Sequence, residues 1–85
     1  MQRKPIKLYL MHASEWSSEF LSRKEAYVDS GHQVVVVGES GRKCYLGSDS
    51  SIVDARWVGD AVVVYYSHGM KVRYYGPYSY QRENI

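Results

Sequence analysis

Five short strand-like segments, separated by turns that contain glycine, follow Gly31 and constrain the fold more than any other feature of the sequence. These segments are rich in valine, isoleucine, tyrosine and tryptophan, and β-branched and aromatic residues favour strands. The runs VVVV and AVVVYY are apolar on both faces, which is typical of strands in the interior of a sheet. The sequence therefore predicts an antiparallel meander over residues 33–37, 42–46, 52–58, 61–67 and 70–75.

The part of the chain before Gly31 follows a different pattern. The segment IKLYLM, residues 6–11, comes after a proline and predicts an edge strand. Over residues 14–29, a rotation of about 100° per residue brings the apolar side chains into one stripe, which predicts a helix. Ser14 suits the N-cap of this helix and Gly31 its C-cap. The stripe, which is expected to pack against the sheet, consists of Trp16, Phe20, Leu21, Tyr27 and Val28.

These elements predict an α+β fold with one helix packed on a five- or six-stranded, mainly antiparallel sheet, in the order β-α-β-β-β-β-β. A chain of 85 residues buries only roughly 60–65% of its unfolded surface, which is enough for one core. We therefore expect a single domain over residues 1–85. Residues 76–85, with the sequence GPYSYQRENI, are expected to form a loosely held C-terminal tail.

The glycine-bracketed turn in VGESGRKCYLG raises the possibility of a phosphate-binding loop or a catalytic nucleophile. A phosphate loop requires GxxxxGK followed by serine or threonine, because its amides curl round the phosphates while the hydroxyl holds magnesium. Gly38 and Gly41 are too close together for this, and Cys44 stands where the hydroxyl belongs. GESGR also lacks the last glycine of a GxSxG nucleophile elbow. These glycines predict a hairpin turn.

Metal ligation and cysteine chemistry receive no better support. His12 and His32 flank the predicted helix, which places them about 20 Å apart at ~1.5 Å per residue. His68 is interpreted as a turn residue. Cys44 is interpreted as a small buried hydrophobic residue rather than a reactive thiolate. The sequence therefore predicts no catalytic residue, no metal ligand and no cofactor, and we expect a protein that is not an enzyme.

The most informative surface candidate is the tyrosine-rich last third of the chain. If Gly59–Asp60 and His68–Gly69 each form a two-residue turn, the register brings five aromatic and basic side chains to one face, with Tyr66 opposite Lys71. The five candidate binding residues are Trp57, Tyr66, Lys71, Arg73 and Tyr75. Aromatic residues and arginine are typical anchors of protein interfaces, and they also stack bases and hold phosphates. The plainer interpretation is that tyrosines favour strands and exposed charges prevent edge pairing.

Protein binding through this face, as an inhibitor or adaptor of a larger assembly, is the function we expect first. Nucleic-acid binding through the same face is the first alternative, and a structural subunit is the second. A homodimer formed through an edge strand remains an option. Because Cys44 is the only cysteine and no apolar stretch reaches membrane-spanning length, we expect a cytoplasmic protein with no membrane partner.

Overall fold

A computed structural model describes residues 15–84 and shows mostly antiparallel sheet with one short helix. There are two sheets, with strand orders β1-β2-β3 and β4-β5-β6-β7, so the prediction of one five- or six-stranded sheet is wrong. The strand predicted at residues 6–11 and the N-cap Ser14 lie outside the described residues. The elements are α1 (Ser18–Arg23), β1 (Glu25–Val28), β2 (Gln33–Val37), β3 (Lys43–Ser48), β4 (Ile52–Val58), β5 (Ala61–Tyr66), β6 (Met70–Gly76) and β7 (Ser79–Asn84).

The predicted helix over residues 14–29 is correct only in its central turns. The helix α1 ends at Arg23. Its C-cap is Lys24, whose φ of 48° is left-handed and whose amide donates to the carbonyl of Phe20 at 2.8 Å. The following residues form β1 and pair with the buried β2, for example Ala26 opposite Val36. Pairing with a strand of buried valines stabilises this segment more than a continued exposed helix would.

Gly31 therefore lies in the hairpin between β1 and β2 and does not cap a helix. The carboxylate of Asp29 accepts hydrogen bonds from the amides of Gly31, at 2.9 Å, and Gln33, at 3.0 Å. An aspartate that binds the backbone two residues further on stabilises a turn. This local contact fixes the reversal of the chain.

The hydrophobic core lies between the two sheets, which approach each other along one side where β1 runs next to β4. At one end, Val36 of β2 and Val62 of β5 pack with Trp16 and Phe20. This confirms that Trp16 and Phe20, two of the three aromatic residues of the predicted stripe, are buried. At the other end the buried residues are Val34, Ile52, Ala55 and Val64.

The remaining residues of the stripe are less buried. Tyr27 and Val28 lie on a strand, where successive side chains point to opposite faces. Tyr27 is 36% exposed on β1, so the prediction that it is a core residue is wrong. Its neighbour Val28 is half-buried and packs against the second cluster. Leu21 is half-buried against the first cluster.

Two turns of the four-stranded sheet set its register. Gly59 and Asp60 form the expected two-residue turn, which confirms that Trp57 lies opposite Val62. The two-residue turn predicted at His68–Gly69 is wrong. Tyr65, not Tyr66, lies opposite Lys71, so the loop holds three residues, 67–69. Three-residue hairpin loops place a left-handed residue, usually glycine, at their end, and Gly69 has φ +94°.

The C-terminal segment pairs along the whole of β6. Arg73 lies opposite Gln81 and Lys71 opposite Glu83. The sequence predicted a loosely held tail over residues 76–85, whereas Ser79–Asn84 forms the strand β7. No helix among residues 15–84 is long and apolar enough to cross a membrane.

Candidate functional site

The structure divides the five predicted binding residues between the two faces of the four-stranded sheet. Trp57 packs against the core cluster at one end, and Tyr66 packs against the cluster at the other end. Lys71, Arg73 and Tyr75 alternate with the buried Val72 and the inward Tyr74, so they point away from the core. The shared face expected from the sequence is therefore not formed.

The outer face of this sheet carries cations that are already paired. The carboxylate of Glu83 lies 3.7 Å from the Nζ atom of Lys71 and 3.2 Å from the Nε atom of Arg73. On β4, which β5 separates from β6, Arg56 forms a 2.7 Å ion pair with Asp54. Three cations against two carboxylates leave this face with one excess positive charge, which is a weak field for a polyanion.

A cleft opens between the two sheets on the side opposite the β1–β4 contact. It lies between Leu46 of β3 and two inward-facing tyrosines, Tyr66 and Tyr74, with Val34 and Val64 at its floor. Its volume is about 120 Å³. We call this the tyrosine cleft. The sequence interpretation included Tyr66 but missed Tyr74, because the register error placed Tyr74 on the opposite face.

Further rings extend the tyrosine cleft at its rim. The ring of Tyr80 on β7 lies 5.3 Å from that of Tyr74, and the ring of His68 lies 5.6 Å from that of Tyr66. Both separations are in the range of favourable aromatic pairs. Tyr80 is 57% exposed. The rim therefore offers an accessible aromatic surface directly beside the cavity.

The polar groups of the tyrosine cleft are close to neutral as a set. Burial raises the pKa of Tyr66, and the nearby Asp49 carboxylate raises it further, while Arg82 offsets part of this. Burial likewise raises the pKa of Tyr74, with smaller contributions from the phenols of Tyr66 and Tyr80. Both phenols are consequently uncharged at neutral pH and can donate hydrogen bonds. The two charged groups at the rim, one carboxylate and one guanidinium, oppose each other.

Asp49 is held ionised by its own turn. Its carboxylate accepts hydrogen bonds from the amide and the hydroxyl of Ser51, both at 2.9 Å. These bonds are the main reason that the pKa of Asp49 lies below its usual range. Asp49 therefore presents a fixed acceptor at the edge of the tyrosine cleft, which it lines.

A second concavity, of about 260 Å³, lies at the other end of the sheet, beside the helix. We call it the end pocket; its lining residues are Glu15, Trp16, Leu21, Asp60 and Tyr75. The backbone amide of Trp16 donates to the carbonyl of Tyr75 at 3.3 Å, and its indole donates to that of Tyr74 at 2.9 Å. Behind it, the ring of Trp57 lies 5.5 Å from that of Trp16. These two hydrogen bonds and this ring contact fix the position of Trp16 in the pocket wall.

The glycine turn between β2 and β3 is a hairpin turn, as the sequence predicted. The amide of Gly38 donates to the carbonyl of Arg42 at 2.7 Å, and Gly41 donates back to Gly38 at 2.9 Å. The Glu19 carboxylate on the helix accepts from the hydroxyl of Ser40, and this bond is the main cause of its lowered pKa. The turn is therefore tied to the helix by a carboxylate, which repels phosphate.

Two further residues singled out in the sequence show no activated chemistry. Cys44 is half-buried, and burial raises the pKa of its thiol, which disfavours the thiolate. His68 lies exposed in the loop between β5 and β6. Within residues 15–84, no three side chains of histidine, cysteine, aspartate or glutamate are grouped so that they could hold a metal ion.

No protein family, curated protein or solved structure matches this chain at a significant level.

Proposed function

We propose that this protein is a small, non-catalytic protein-binding module, and that its tyrosine cleft receives one apolar side chain from a partner polypeptide. The observation that carries the proposal is the position of a small cavity, with valines and a leucine among its lining residues, directly beside the exposed ring of Tyr80. Tyrosines at such sites bury a large apolar area and keep a polar hydroxyl, and they are enriched at protein interfaces.

The size of the cavity supports a side chain as the occupant. At about 120 Å³, it is smaller than the ~150 Å³ of an engineered cavity that takes up benzene. Cofactors and drug-sized ligands occupy pockets of roughly 300–1,000 Å³. A single anchoring side chain, inserted from a polypeptide that continues over the rim, fits this volume.

The charges favour a polypeptide over a nucleic acid. Binding to single-stranded nucleic acid combines stacking rings with a positively charged groove. Near the tyrosine cleft, the guanidinium of Arg82 and the carboxylate of Asp49 act on Tyr66 in opposite directions. On the outer face, Glu83 neutralises part of the charge of Lys71 and Arg73. Neither surface supplies the run of free cations that a phosphate backbone requires.

Selection of short random peptides displayed on phage, with the full chain immobilised as bait, tests this proposal. We expect the selected peptides to share an apolar anchor and to bind the parent chain in solution, as measured by calorimetry. Replacing Tyr80 with serine should weaken binding about 5- to 30-fold, which corresponds to ~1–2 kcal/mol for an interface anchor.

A matched control separates the tyrosine cleft from tyrosines in general. Tyr45 is 54% exposed, almost as much as Tyr80, but it lies opposite Val35 on the outer face of the three-stranded sheet. Tyr45→Ser should leave the affinity unchanged. Equal losses for Tyr45→Ser and Tyr80→Ser would refute the site.

The nucleic-acid alternative is tested by titrating the chain with single-stranded oligonucleotides at two salt concentrations. Binding that weakens steeply with salt and that is lost when Lys71 and Arg73 are both replaced with glutamine would favour this alternative. We expect no such salt-dependent binding.

A further inference from the structure

We propose that the chain's own segment IKLYLM, residues 6–11, binds along the outer edge of β3 as an antiparallel strand and turns Leu8 and Leu10 toward the tyrosine cleft. The segment thereby competes with the apolar side chain of a partner. Only this competition rests on the proposed function, because the contact within the chain can be measured without a partner.

The two sheets leave two strand edges open on the side where the tyrosine cleft lies. Within residues 15–84, β3 pairs only with β2, and β7 pairs only with β6. Leu46, Gly47 and Ser48 of β3 line the tyrosine cleft. An open edge presents unpaired amides and carbonyls, and an added strand pairs with them. A strand added to β3 therefore has the tyrosine cleft on one of its faces.

The described part of the chain begins within reach of this edge. The amide of Trp16 donates to the carbonyl of Tyr75 at 3.3 Å, and Cys44, near the start of β3, packs against the cluster that contains Trp16. The extended chain from Met11 to Trp16 spans up to about 17 Å. A strand that ends beside Trp16 runs opposite to β3, because β3 begins at this end and continues to Ser48 in the tyrosine cleft.

The sequence of the segment suits the edge of β3 better than that of β7. Its apolar residues occupy every second position, namely Ile6, Leu8 and Leu10, and alternate side chains of a strand share one face. The inward-facing neighbours on β3 are Cys44 and Leu46, both half-buried against the core. On β7, the exposed Arg82 lies opposite the buried Val72 and so takes an inward position. Leucine side chains match the apolar neighbours on β3.

The hydrogen bonds of the β2–β3 hairpin specify how closely Cys44 approaches an added strand. The amide of Gly38 donates to the carbonyl of Arg42. Because hydrogen-bonded pairs alternate along an antiparallel ladder, the next such pair is Val36 opposite Cys44. The polar backbone groups of Cys44 therefore face β2. Toward a strand on its other side, Cys44 forms a non-hydrogen-bonded pair, in which opposed Cα atoms lie about 4.5 Å apart. This separation permits a disulfide.

Cysteine substitutions in the full chain test the placement, with Cys44 as the native partner and oxidised glutathione as the oxidant. Mass spectrometry after proteolytic digestion identifies the disulfides. We expect a disulfide within one chain in Leu8→Cys or Leu10→Cys, in a yield about fivefold or more above that in Tyr9→Cys. Tyr9→Cys is the matched control, because its side chain lies between the two leucines in sequence and points to the outer face.

Two results of this experiment would overturn the proposal. Equal yields in the three variants would show that the cysteines meet by random collision. A disulfide that joins two chains would show instead that a second copy occupies the edge of β3.

The competition is tested with the selected peptides. A competitor lowers the apparent affinity by the fraction of chains that it occupies, so Leu8→Ser together with Leu10→Ser should strengthen peptide binding about three- to tenfold. Lys7→Ser together with Tyr9→Ser keeps the inward leucines and should bind like the parent. Equal affinities of the two double variants would refute the competition. Failure of Tyr80→Ser to weaken the peptides contradicts only the proposed function and leaves the disulfide measurement unaffected.

Discussion

Replacing Phe20 with alanine should remove a large part of the stability of this domain. Phe20 is 6% exposed, and its ring meets that of Trp16 edge-on at 5.6 Å beside Val36 and Val62. Burial of such a side chain contributes ~1.5–3 kcal/mol, and the aromatic pair adds about 0.5–1.5 kcal/mol. With the cavity that remains, the expected loss is about 3–5 kcal/mol. Domains of this size have a total stability of roughly 4–13 kcal/mol.

Urea unfolding followed by tryptophan fluorescence measures this loss. With a slope of about 1 kcal/mol per molar urea, the midpoint should fall by ~3 M or more, if the variant folds at all. Tyr27→Ala is the matched control, because a helix over residues 14–29 would bury both rings whereas the structure leaves Tyr27 on an exposed strand face. We expect it to cost about 1 kcal/mol or less. Equal midpoints for Phe20→Ala and the parent, or an equal loss for Tyr27→Ala, would refute this account of the core.

Three further predictions follow from backbone geometry and from shifted pKa values. Gly69→Ala should lower the free energy of unfolding by about 1 kcal/mol or more, measured by thermal unfolding, because φ at Gly69 is +94°. Gly31→Ala should cost less, because φ at Gly31 is not left-handed and the new Cβ would meet Asp29 at an ordinary 3.5 Å. The pKa values of Tyr66 and Tyr74 are raised in the folded state, so the unfolded chain loses these protons at a lower pH than the folded chain does. The urea midpoint should therefore fall as the pH rises above the ordinary tyrosine pKa of about 10. The fall should be smaller in Tyr66→Phe, which lacks one of the two phenols. Because burial raises the pKa of Cys44, iodoacetamide should alkylate the folded chain more slowly than the urea-unfolded chain at the same pH, as followed by mass spectrometry.

Local sequence signals were sufficient where a strand is both apolar and bounded by tight turns. Residues 33–37 and 52–58 form strands with the predicted bounds. Runs of β-branched residues disfavour helix, and the glycine turns limit each run to strand length. The turn at Gly59–Asp60 was also predictable, because glycine at its first central position supplies the positive φ that a tight hairpin turn requires.

The helix was overestimated because apolar spacing alone does not distinguish one helix from a short helix followed by a strand. Trp16 and Phe20 satisfy helical spacing, and Val28 extends it by coincidence. The helix ends because residues 25–28 pair with the buried strand β2. Apolar spacing within one segment does not reveal such a pairing. The sequence DSG at residues 29–31 is typical of a hairpin turn, whereas the predicted helix treats Gly31 as its C-cap.

The candidate site was missed for a related reason, since one residue in a loop decides which face a whole strand presents. The side chains of β5 are buried on both faces, for example Val63 and Val64, so β5 itself does not specify the register of its neighbour. In β6, however, basic residues alternate with Val72 and Tyr74, and only the observed register keeps Lys71 and Arg73 out of the core. The energetic cost of burying unpaired charges therefore selects the three-residue loop.

The same choice creates the tyrosine cleft. The loop between β5 and β6 holds three residues instead of two, and this places Tyr74 on the inner face beside Tyr66. The pairing of β6 with β7 then brings Tyr80 opposite Tyr74. The cations go to the outer face, where Glu83 on β7 pairs with them. The aromatic and the basic residues, which the sequence interpretation had combined into one binding face, are thereby separated. An apolar anchor and a polyanion would have to bind different sides of this sheet, and the tyrosine cleft opens on the aromatic side.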